Sequence, residues 1–142
     1  MYFILFITIT ITLYLLTQSN NKTDQLIFIA TIIGQTLFLV GIYIDNINIR
    51  EKAHMIFTFV TTYGSLFGRQ LATRLYMFMS NITVWTSHVI LGKCAFRLYD
   101  KVSDPPEAFP PKWIHINIRE VFWAILTFIS AYRLFYANSM RS

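Results

Sequence analysis

The side chains that could do chemistry in this 142-residue chain are few. There are three histidines (His54, His88, His115), one cysteine (Cys94) and seven carboxylates: Asp24, Asp45, Glu51, Asp100, Asp104, Glu107 and Glu120. Proton- or cation-coupled transport needs a carboxylate inside the membrane. All seven fall in polar stretches or at the ends of apolar runs, which argues against a transporter or channel. The sequence contains no Walker loop, glycine-rich dinucleotide turn, HExxH or GxSxG. A lone Cys94 makes neither an internal disulfide nor a metal cluster. The reading is of no catalytic residue, no metal site and no enzyme. His88 differs from the other two histidines because it lies inside an apolar run, in SHVILGKCAFRLYD at 87–100. On a helix, Asn81, Trp85, His88, Gly92, Ala95 and Tyr99 fall on one stripe. Small and polar residues so arranged let a neighbouring helix, or a flat ring, approach closely.

The rest of the composition says what surrounds these groups. Hydrophobic residues make up 55% of the chain and charged ones 13%, with mean hydropathy +0.49. A soluble domain would carry about a quarter charged residues, and one this small could not bury so much Ile, Leu, Phe and Tyr. The composition therefore reads as an all-α integral membrane protein. The net charge is +5, but the basic residues are scattered and flank apolar runs. They read as interfacial anchors rather than a nucleic-acid surface.

The elements expected to position these residues follow from the apolar runs. Residues 2–17 alternate Ile and Thr as a strand would. A lone strand cannot satisfy its backbone in lipid, so a helix of about 24 Å is expected instead. The first Lys or Arg is Lys22, so this run lacks the basic region of a secretory signal and is expected to be a retained span. Residues 26–44 form a second span with Gly34, Gln35 and Thr36 at its middle. The fourteen-residue run 55–68 is too short for a comfortable span and reads as interfacial, re-entrant, or a short span capped by Arg69 and Arg74. Spans at 75–92 and 120–137 follow, separated by a proline-rich extramembrane strap at 101–113. The expectation is one membrane domain over 1–142, a small polytopic bundle with four spans plus the short segment. Gly34, Gln35, Asn81, His88 and Gly92 would make helix contacts. Arg69, Arg74, Lys93, Arg97 and Lys101 would meet lipid phosphate, with cardiolipin among the anionic lipids that fit. The sequons at Asn21 and Asn81 carry little weight, the second falling inside a span.

The pattern His88-x3-Gly92 with Tyr99-Asp100 resembles a helix of the membrane-anchor subunits of succinate dehydrogenase. The likeness covers 13 residues. It implies His88 as an axial ligand of haem b, Tyr99 against a quinone and Asp100 orienting a neighbour. The additional apolar segments depart from a three-helix anchor.

Together these readings favour a non-catalytic structural subunit of a multi-subunit membrane complex. A mitochondrial respiratory-chain or ATP-synthase complex in the inner membrane is the favoured setting. His88 then makes a neutral interhelical hydrogen bond and no cofactor is held. The alternatives are the haem b and quinone anchor, and a virus-encoded membrane protein tying an internal membrane to a capsid. The expected partners are other membrane subunits and phospholipid, not nucleic acid.

Overall fold

A computed structural model describes residues 2–91 and 118–139. The proline-rich strap, Gly92, Lys93, Cys94, Arg97, Tyr99, Asp100, Lys101 and His115 lie outside the described residues. Five helices occur in chain order: α1 (Tyr2–Thr17), α2 (Lys22–Tyr43), α3 (Ile47–Phe67), α4 (Leu71–Leu91) and α5 (Ile118–Ser139).

Local chemistry accounts for these elements. In α1 the threonines that mimic a strand pattern bond back along a helix. Thr8, Thr10 and Thr12 donate to the carbonyls of Leu5, Phe6 and Thr8 at 2.9, 2.9 and 2.7 Å. Asn21 starts α2 by accepting from the Thr23 N–H at 2.9 Å. At the other end Asp45 takes the left-handed conformation (φ 51°), and the Asn46 N–H closes back on the Gly41 carbonyl at 2.8 Å. This is the usual way for a helix to stop. Asn46 then caps α3 through the Ile49 N–H at 3.2 Å. Between α3 and α4 the turn is three residues long, and a Cβ on Gly68 would come within 2.6 Å of the Gly64 carbonyl oxygen. Only glycine fits that turn.

The chain divides into two compact units, Met1–Met77 and Phe78–Ser142. In the first, the α2 residues Asp24, Ile27, Phe28, Thr31, Gly34, Phe38 and Gly41 are buried along one stripe at helical spacing. Gly34 approaches Ala53 and Ile56 of α3, and Gly41 approaches Ile49 and Arg50. Rising numbers on α2 meet falling numbers on α3, so the two helices are antiparallel. Ile27, Val60 and Met77 form the apolar centre of this unit. In the second unit, Phe78 meets Phe135, Asn81 bonds Ser130 and Trp85 meets Phe128. The same argument makes the later part of α4 antiparallel to α5.

The expectation of four membrane spans is overturned. Among the described residues one helix, α2, is long and apolar enough to cross a membrane. The reason differs from helix to helix. α1 is apolar but has only 16 residues. α3 is long enough, but it takes in Arg50, Glu51, Lys52 and His54. α4 carries Arg74, Asn81 and His88, and α5 carries Arg119, Glu120 and Arg133. The segment 55–68 is not a separate interfacial or re-entrant piece, since 55–67 continue the 21-residue α3 and Gly68 ends it. The all-helical class stands; the span count does not.

Candidate functional site

A folded chain in water places apolar side chains inside and polar ones outside. Here the distribution runs the other way. Among the described residues, 31 large apolar side chains are exposed and 11 apolar ones are buried, beside 13 polar or charged ones. The exposed set covers every helix and includes Phe3, Tyr43, Phe59, Ile90 and Phe128. Near the start of α1 and the end of α2, Phe3, Phe6, Leu39, Val40 and Tyr43 line an apolar groove of about 590 Å³. What distinguishes the interior is a set of three polar junctions that tie helices together.

The first is built on Asp24, which is fully buried in the opening turn of α2. Its carboxylate accepts from the backbone N–H groups of Arg69 and Gln70 at 2.9 and 3.3 Å. Gln70 is the residue whose carbonyl receives the first bond of α4, from the Arg74 N–H. A side chain of one helix therefore caps the start of another, and negative charge is favourable at that position. Arg74, 8% exposed, donates through Nε to the Gly68 carbonyl of the same turn at 3.4 Å.

The second joins three helices at the Tyr76 hydroxyl. Thr12 spends its proton on the Thr8 carbonyl, so its oxygen accepts from Tyr76 at 3.3 Å. The Tyr76 oxygen in turn accepts from Gln35 Nε2 at 3.3 Å. The result is a one-way chain of hydrogen bonds from α2 through α4 to α1. The Tyr76 ring packs edge-on against Phe28, with centroids 6.0 Å apart. Gln35 Oε1 is buried with no hydrogen-bond partner among the described residues.

The third lies in the second unit. Asn81, fully buried, donates to Ser130 at 2.8 Å, and Ser130 passes its own proton to the Leu126 carbonyl at 2.8 Å. With Asn81 inaccessible, its sequon offers nothing to a glycosyltransferase.

The structure places the sequence candidates as follows. Gly34 lies against α3, Gln35 in the three-helix junction, and Asn81 against α5. His88 is buried on α4, 6% exposed, so a solvated histidine is excluded there. Arg69 is exposed and Arg74 buried, so these two supposed headgroup residues have different surroundings. Sequence reasoning missed Asp24, Tyr76, Thr12 and Gly41. Asp24 was counted among the carboxylates at helix ends; nothing local distinguishes a buried cap from a solvated one. Among the described residues no group of three or more His, Cys, Asp or Glu side chains could hold a metal. What the junctions supply is fixed helix pairing.

No family model, no curated protein and no solved structure matches the chain.

Proposed function

We propose that this chain is a non-catalytic structural subunit of a larger membrane assembly. The observation that carries the reading is the reversed distribution of polarity. Exposed apolar residues on every described helix need a non-aqueous partner, because apolar area left in water costs about 25 cal/mol per Å². Contiguous patches on that scale mark membrane or protein contact. α2 enters the hydrocarbon core, and the apolar faces of the other helices are covered by acyl chains and by neighbouring subunits. The interior junctions support this role, since buried hydrogen bonds between helices fix geometry in lipid. The favoured setting is a mitochondrial respiratory-chain or ATP-synthase complex. It is supported by apolar helices rich in Ile, Phe and Tyr, with basic residues suited to anionic lipid near their ends.

The test has two steps. Carbonate washing of membranes expressing the full chain should leave it in the pellet; release into the supernatant would refute membrane embedding. Purification in mild detergent, followed by mass spectrometry, should then recover stoichiometric membrane subunits of one complex. Recovery of capsid proteins instead would refute the mitochondrial setting, and recovery of the chain alone would refute the role as a subunit. A haem b absorption band in the preparation that disappears in His88→Ala would refute the absence of a cofactor.

A further inference from the structure

The two ends of the first unit differ in charge, and the Asp24 junction gathers the surplus at one of them. At one end, α2 begins at Lys22 and the α3–α4 turn carries Arg69, with Arg74 one turn further on. The acidic residue accompanying them is Asp24, which is fully buried with both oxygens taken up by the Arg69 and Gln70 N–H groups. Those same bonds bring the α3–α4 turn against the first turn of α2. Lys22 and Arg69 are thus displayed at one end, both exposed. At the other end, where α2 passes into α3, charges cancel. Arg50 pairs with Asp45 at 3.1 Å, and exposed Lys52 adjoins Glu51. Three cations against one carboxylate leave a surplus of two positive charges at the first end; two against two leave none at the second.

The first end is also framed as a headgroup contact would be. Leu26, one turn from Lys22, is 65% exposed, and Phe67 and Leu71, on either side of Arg69, are 51% and 57% exposed. Tyr14, in the last turns of α1, is 64% exposed. Cations set among exposed apolar and tyrosine side chains suit the boundary between acyl chains and phosphate.

We infer that the Lys22–Arg69 end of the first unit docks on an anionic phospholipid leaflet, and that the Asp45–Lys52 end does not. The inference rests on the membrane reading above and deepens it by assigning a lipid class and a direction. α2 then crosses with Lys22 toward the anionic leaflet. The Asp24 bonds make this possible by holding the Arg69 turn against the first turn of α2, so that Lys22 and Arg69 are displayed together.

The experiment places the full-length chain in phosphatidylcholine vesicles with and without phosphatidylglycerol. Flotation measures retention, and spin-labelled lipids measure which headgroup gathers at the protein. Wild type is expected to enrich phosphatidylglycerol over phosphatidylcholine. Lys22→Gln and Arg69→Gln should each reduce that enrichment by about fivefold at low salt, and high salt should erase it. Lys52→Gln removes the same charge from the other end and should leave it unchanged. Retention without phosphatidylglycerol enrichment, or an equal loss in Lys52→Gln, overturns the docking inference alone. Failure of the wild type to float with either vesicle overturns the membrane reading and the inference with it.

Discussion

Replacing Asp24 with alanine should loosen the start of α4 more than any other part of the first unit. The carboxylate accepts two backbone N–H bonds, at 2.9 and 3.3 Å, and is fully buried. A hydrogen bond to a charged acceptor contributes about 1.5–3 kcal/mol net. The longer bond belongs at or below the bottom of that range. Arg69 is exposed, so water can replace part of what its N–H loses. These considerations place Asp24→Ala at about 3 kcal/mol of destabilisation. Asp24→Asn keeps one acceptor oxygen but adds an amide with two donors, and should cost about half as much. Two measurements check the figure on the full chain in detergent micelles. Denaturant unfolding followed by circular dichroism gives the free-energy difference. Amide exchange gives its location, with protection at Arg69, Gln70 and Leu71 falling while α2 stays protected. If Asp24→Ala unfolds within about 0.5 kcal/mol of wild type, the size of a neutral surface change, and those amides exchange as before, the capping argument is wrong.

Three further outcomes follow from the junctions and the helix seam. Tyr76→Phe removes the hydroxyl between Thr12 and Gln35 and should cost about 1 kcal/mol in the same unfolding assay. Adding Gln35→Leu should recover part of that loss, since the stranded amide disappears with it. Gly41→Ala places a Cβ 3.0 Å from the Arg50 backbone nitrogen, whereas the tightest contact of Gly34→Ala is with the Ile56 side chain, at 3.2 Å, its nearest backbone atom being the Ala53 oxygen at 3.7 Å. Overpacking of about 1–3 kcal/mol is therefore expected for Gly41→Ala, while Gly34→Ala should be close to neutral; equal effects would contradict this order. Ser130→Ala leaves the Asn81 amide short of its acceptor across α4 and α5. Destabilisation of about 0.6–1.5 kcal/mol is expected, read as faster cleavage within α5 by a protease in micelles.

The helices and the junctions were not equally legible from the sequence. α2 was, since a charge-free run between polar turns has few other outcomes, and its observed extent, Lys22–Tyr43, starts four residues before the apolar stretch because Asn21 caps it. α1 was legible only through a physical argument about unsatisfied backbone, as its Ile-Thr alternation points to a strand. α3 was hidden because the charged residues Arg50, Glu51 and Lys52 interrupt the apolar pattern. The structure carries the helix straight through them from the Asn46 cap. A complete α3 returns the chain to the Lys22 end and brings Arg69 there. Gly34, Gln35 and Asn81 attracted attention as small or polar residues in apolar surroundings, a local signal. Asp24 and Tyr76 had none, because their importance lies in partners 45 and 64 residues away, and one sequence does not say which distant groups meet.

The hydroxyls along these helices bear on how such a chain could be made. Thr8, Thr10, Thr31, Thr62, Ser65, Thr83, Thr86 and Thr127 all donate to carbonyls of their own helix. Each of these hydroxyl protons is therefore placed as soon as its own helix forms. Asp24, Gln35 and Asn81 are different, since each must wait for a later segment to emerge. Asp24 is synthesised 45 residues before the turn that receives it, and Asn81 49 residues before Ser130. Their hydrogen bonds can close only after that segment has folded back against them, so helix pairing, unlike helix formation, depends on the order in which the chain is made.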